Sequence, residues 1–159
     1  KLEGEWFVEQ MSLNYVIIRT NIFGMNLIQG HSLAEWIVEN LEKKIHINMF
    51  TDVIFSPVDV NTLSEYIEKL LNLNYIGRIN IGCDGSISKY NFGVLIANIF
   101  NLDSSLITPA TVDSFCFKAK RPKNTSLNIS KAKNIFNSTT IEENIIKFYN
   151  MKSMRSANE

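Results

Sequence analysis

Asn14-Tyr15-Val16-Ile17-Ile18-Arg19-Thr20-Asn21-Ile22-Phe23-Gly24 decides the fold class of this 159-residue chain. Tyr15 to Ile18 are four consecutive apolar residues, three of them β-branched. Such a run marks a strand covered on both faces, the kind found in parallel sheets. The strand is read over residues 14–20. It closes on Arg19-Thr20-Asn21, which puts hydrogen-bonding side chains at its carboxyl end, where open α/β sheets bind ligands. A loop over 21–31 follows, with Gly24 and Gly30 as its permissive points.

Working outward, the rest alternates helix and strand. Residues 2–11 read as the end of a helix with Leu2, Trp6, Phe7 and Gln10 on one face. Ser32-Leu33-Ala34-Glu35 is a capping box, opening a helix with Leu33, Trp36, Ile37 and Leu41 on its inner face and its end near Lys43-Lys44. Ile45 to Phe50 reads as a short strand. Residues 51–57 read as a connection, because Pro57 cannot sit in a regular central strand. Thr62-Leu63-Ser64-Glu65 predicts a second capped helix with Leu63, Tyr66, Ile67, Leu70 and Leu71 inward. Residues 78–82 alternate as a strand. Residues 88–100 form a helix burying Phe92, Leu95, Ile96 and Ile99, and residues 101–129 are loop-rich. Ser130 opens a short helix, and Thr140-Ile141-Glu142-Glu143 caps the last one, which buries Ile141, Ile145 and Phe148. The polar tail over 151–159 is expected to fray. Trp36, Tyr66 and Phe92 are assigned to the core. The class is α/β, with too few buried strands for a complete open sheet, so the chain is expected to be part of a longer protein.

Bulk properties narrow the function. Lys+Arg and Asp+Glu both number 16, and this neutral balance argues against a nucleic-acid partner and against electrostatic attachment to a membrane. No apolar run reaches the length of a membrane span. Cys83 and Cys116 read as two reduced thiols of a cytoplasmic protein. His31 and His46 have no companions at metal-ligand spacing, so no metal site is expected. Abundant Asn, Ile and Lys point to an AT-rich, bacterial type of genome.

Five segments, in order, carry a resemblance. They are Lys1-Leu2-Glu3-Gly4-Glu5; the stretch from Tyr15 to Gly24; Phe55-Ser56-Pro57-Val58-Asp59-Val60; Gly77 to Gly82 ahead of Ser88-Lys89-Tyr90-Asn91-Phe92; and Arg121-Pro122-Lys123-Asn124-Thr125-Ser126-Leu127-Asn128-Ile129-Ser130-Lys131. Together they resemble the C-terminal part of extended short-chain dehydrogenases/reductases, and the last resembles an element of dTDP-4-dehydrorhamnose reductases. One departure concerns the loop after the Arg-Thr strand, where the rhamnose reductases usually carry a tryptophan and this chain has Asn21-Ile22.

The resemblance implies an NAD(P)-binding Rossmann-like fold, with residues 1–24 ending the catalytic region and 25–150 forming a small mixed α/β substrate-binding region. It implies reduction of a 4-keto sugar nucleotide in deoxysugar or polysaccharide biosynthesis, with NADPH or NADH held mostly by residues upstream of Lys1. Lys1 would be the active-site lysine, lowering the pKa of a tyrosine three places upstream and holding the nicotinamide ribose. Thr20, Asn21 and Ile22 would contact the cofactor. Asn21 and Arg121 would contact a nucleotide-diphosphate sugar, Arg121 by forking onto the diphosphate with Lys118, Lys120 and Lys123 adding charge. Asn21 equally fits a turn-closing role, and Arg19 a structural pair. The resemblance allows a homodimer. It also leaves open a non-catalytic binding subunit, as in the beta subunit of methionine adenosyltransferase, and an epimerase or dehydratase. On its own the chain is expected to be inert and to fold poorly.

Overall fold

The computed structural model describes residues 1–26 and 31–156; Gly30 lies outside them. The apolar stretch forms strand β1 (Val16–Phe23), which runs three residues past the expected end. Its neighbours explain the extension. Val16 to Thr20 pair in parallel with β5 (Gly77–Ile81), and Asn21 to Phe23 pair in parallel with β4 (Pro57–Asp59) on the other side. The order is β4-β1-β5. Segment 51–57, expected as a plain connection, therefore supplies a strand. Pro57 is tolerated because it is the first residue of an edge strand.

β1 is not covered on both faces as expected; its residues from Val16 to Asn21 are half-buried. One face carries Val16 and Ile18 against Ile79, Ile81, Leu63 and Leu70, the last two from α3 (Val60–Asn72). The other face is ionic. Arg19 pairs with Glu5, and Arg78 pairs with Glu9, both acids standing on α1 (Leu2–Met11). The Arg19 guanidinium holds the Glu5 carboxyl below the usual carboxylate range. α1 buries none of its residues, leaving Leu2, Trp6 and Phe7 exposed. Arg19 is thus the structural pair that its sequence position allowed.

A second core gathers α2 (Leu33–Glu42), α4 (Lys89–Ile99) and α6 (Ile141–Ser156) around the parallel pair of β2 (Ile47–Phe50) and β7 (Ile107–Ala110). β7 lies inside the segment read as loop. Phe92 is the hub, with ring centroids 5.2 Å from Phe23 and 5.1 Å from Phe55, both edge-on. The capping boxes at Ser32 and Thr140 both form. The one expected at Thr62 does not. α3 starts earlier, at Val60, with the Asp59 carboxylate accepting from the Asn61 amide. Thr62 is buried within that first turn. The Asp59 amide in turn donates to Asn144 Oδ1, which ties β4 to α6.

β4, α3 and β5 pack with β1 while Phe23 belongs to the second core, so the two cores interleave along the sequence. One further expectation changes. The last helix runs on to Ser156 rather than fraying from 151, and Lys152 pairs with Glu42 of α2 at 2.7 Å.

Candidate functional site

A third, small sheet builds the site. β3 (Ile54–Phe55) lies between β6 (Ile87–Ser88), antiparallel, and β8 (Asn124–Thr125), parallel. The residue after β6 is Lys89, and those shortly before β8 are Arg121 and Pro122. Both segments therefore meet over β3, where a recess of about 470 Å³ opens. Its walls include Trp36 of α2, Met49 and Phe50 of β2, and Phe117.

The recess is aromatic and cationic. Phe50 packs edge-on against Phe115 and Phe117 at centroid distances of 5.3 and 6.1 Å. The Arg121 guanidinium lies 5.4 Å from the Phe117 ring centre and has no ion pair among the described residues. Lys89 Nζ sits 3.5 Å from the centre of the Phe55 ring, and burial pulls its pKa down to about 8. Trp36, assigned to the core, is 37% exposed and faces the recess instead. Its helix buries Ala34, Ile37, Val38 and Leu41, so Trp36 falls at the margin of that apolar stripe.

The loop that carries Arg121 is anchored. Lys123 Nζ pairs with Asp52 at 3.0 Å and with Asp113 at 2.5 Å. Asp52 also accepts from the Val112 amide at 2.9 Å, and these contacts hold its carboxyl below the usual range. Lys123 is therefore neutralised and adds no positive charge to the recess, contrary to expectation. Arg121 and Lys89 are the cations that line the recess, while Lys118 and Lys120 are exposed and not among its lining residues.

The remaining expected site residues lie elsewhere. Lys1 is exposed at the head of α1 and is not among the residues lining the recess. Thr20 falls within β1 as expected, and Asn21 and Ile22 fall within it rather than in the loop. The Thr20 hydroxyl is buried without a partner among the described residues, Ile22 is 55% exposed, and Asn21 Oδ1 accepts from the Ser56 amide at 3.1 Å. Asn21 closes no turn. It ties the carboxyl end of β1 to the residue after Phe55, and so to the floor beneath Lys89. Of the expected set only Arg121 lines the recess. Lys89 carries no signal of its place in the recess from its own surroundings in sequence, because its apolar neighbours Phe55 and Val53 come from a distant segment.

With this geometry in hand, the likeness to known proteins is specific. A family model described as the RmlD substrate binding domain matches residues 1–152. The dTDP-4-dehydrorhamnose reductase of Bacillus anthracis, solved in complex with NADP, superposes with a TM-score of 0.85 at 24% identity, over 94% of this chain and 53% of its own. A dTDP-4-dehydrorhamnose reductase from Clostridium acetobutylicum gives 0.86 at 24% identity, over 96% of this chain and 54% of its own. A probable low-salt glycan biosynthesis reductase of Haloferax volcanii is 21% identical over 133 residues, which is 82% of this chain and 44% of that protein. The chain spans about half the length of these relatives. Its fold is that of the Rossmann-like extended short-chain dehydrogenases/reductases, and the chain belongs to the RmlD substrate binding domain family.

Proposed function

We propose that this chain is the substrate-binding part of a nicotinamide-dependent sugar-nucleotide reductase of the dTDP-4-dehydrorhamnose reductase kind, and that the recess over β3 takes the nucleotide diphosphate of its substrate. The observation that carries this reading is an unpaired guanidinium, Arg121, beside exposed aromatic rings in one recess of a chain of this family. A guanidinium forks onto phosphate oxygens, and a flat base finds stacking area on Trp36 or Phe117.

The β4-β1-β5 sheet with α1 and α3 is the end of the nucleotide-binding region in this reading, and the second core is the substrate region. Val16 to Thr20 have no strand partner on the β4 side among the described residues, which suits a further parallel strand. Residues at the carboxyl end of β1 fit a nicotinamide cofactor. The Thr20 hydroxyl is buried and unpartnered, and Asn21 Nδ2 has no hydrogen bond among the described residues, so both can meet a carboxamide or a ribose hydroxyl. The bound cofactor would supply the hydride for a sugar keto group. Ile22 would offer apolar surface beside it. Lys1, an ammonium on the helix ahead of β1, would lower the pKa of a neighbouring phenol and hold ribose hydroxyls.

The test uses the full-length protein with reduced nicotinamide and dTDP-linked or UDP-linked 4-keto sugars. Net consumption of the reduced cofactor is expected, which also separates a reductase from an epimerase or dehydratase. Arg121→Ala should raise KM about 10- to 100-fold with a smaller change in kcat. No turnover with any nucleotide-linked keto sugar, or an unchanged KM in the variant, would sink the reading.

A further inference from the structure

Lys89 is an odd residue for its place. Its side chain is half-buried at the start of α4, and its ammonium makes no ion pair or hydrogen bond among the described residues. Among the described residues the ammonium lies over the face of Phe55. The nearest carboxylate in sequence to its backbone partner Val53 is Asp52, and Asp52 is already engaged by the Val112 amide and Lys123. Burial alone accounts for the lowered pKa, with no neighbouring charge contributing. A cation kept partly out of water without a counter-charge costs stability, and it persists where something else supplies the anion.

The sheet order says where that anion would sit. β6 and β8 flank β3 on opposite sides, so Lys89 enters the recess from one side and Arg121 from the other. Two unpaired cations on opposite flanks of one aromatic recess match a ligand with two linked anionic groups and a flat base. We propose that Lys89 is a second phosphate-binding cation, gripping a nucleoside diphosphate from the β6 side while Arg121 holds it from the β8 side. This inference rests on the nucleotide-sugar reading given above.

The test is calorimetric titration of the full-length protein at pH 7 with dTDP, UDP, thymidine, UDP-glucose and UDP-glucuronate. Lys89→Met should weaken dTDP and UDP about 10-fold or more, leave thymidine unchanged, and affect UDP-glucose and UDP-glucuronate alike. Lys89→Arg, which keeps the charge and guards against loss of fold, should stay within about 3-fold of the native protein. Unchanged dTDP and UDP affinity in Lys89→Met overturns the proposal. So does a loss confined to UDP-glucuronate, which would assign the ammonium to a sugar carboxylate. If the native protein binds none of these nucleotides, the nucleotide-sugar reading itself fails and takes the inference with it.

Discussion

Replacing Lys89 with Met removes a half-buried ammonium while keeping an unbranched apolar side chain of similar length, so the protein should become more stable at neutral pH. The magnitude follows from the titration. The amine ordinarily titrates at 10.5 and in the folded protein at about 8. Below about 8 both folded and unfolded chains carry the proton, and the whole cost of desolvating it is present. Between about 8 and 10.5 the unfolded chain holds a proton that the folded chain has shed, so stability rises with pH. At 1.36 kcal/mol per pH unit the cost has a ceiling of about 3 kcal/mol. Attraction to the Phe55 ring returns about 1 kcal/mol, and water reaching the open recess screens part of the rest. Lys89→Met should therefore gain about 1 kcal/mol at pH 7 in urea unfolding of the full-length protein, and that gain should shrink as the pH rises to about 10.5, where the unfolded chain also loses its proton. A loss of stability at pH 7, or a difference that stays constant from pH 7 to about 10.5, would refute the claim that this ammonium is held out of water.

Two other substitutions probe the framework. Gly24 has φ +146°, and a Cβ there would lie 2.6 Å from Val60 Cγ1 and 3.2 Å from Asp59 Oδ2; Gly24→Ala should cost about 2–4 kcal/mol in urea unfolding, and a loss under about 1 kcal/mol would show that the turn relaxes freely. Phe92 is fully buried between Phe23 and Phe55, so Phe92→Ala should cost about 3–5 kcal/mol by the same measurement; a loss below about 1 kcal/mol would mean that these rings do not hold the second core together.

Much of the architecture was legible because its signals are local. The capping boxes at Ser32 and Thr140 depend on residues three apart, and both form. Thr62 to Glu65 shows the same spacing and fails, because Asp59 caps the helix first. Asp59 is itself a favoured capping residue, so the competing start was present in the sequence but not separable from it by spacing. The candidate site was less legible. Arg121 stood out through its motif, whereas Trp36 looked like a core residue and Lys89 like a helix-start residue.

By itself the sequence determined the α/β class, the position of the main parallel strand, most helices, and the order of segments that marks the family. These follow from periodicity, capping and motif order, all readable within a few turns of chain. Only the tertiary structure decided that β3 joins β8 some 70 residues away, as the Thr125 hydroxyl bonding to the Ile54 carbonyl records, and that Asp59 meets Asn144 across 85 residues. It alone decided that Lys89 and Arg121 share one recess, that Lys123 is neutralised, and that two cores interleave. The physical reason is that local propensity sets which elements form, while side-chain surroundings depend on which faces meet after distant segments pair.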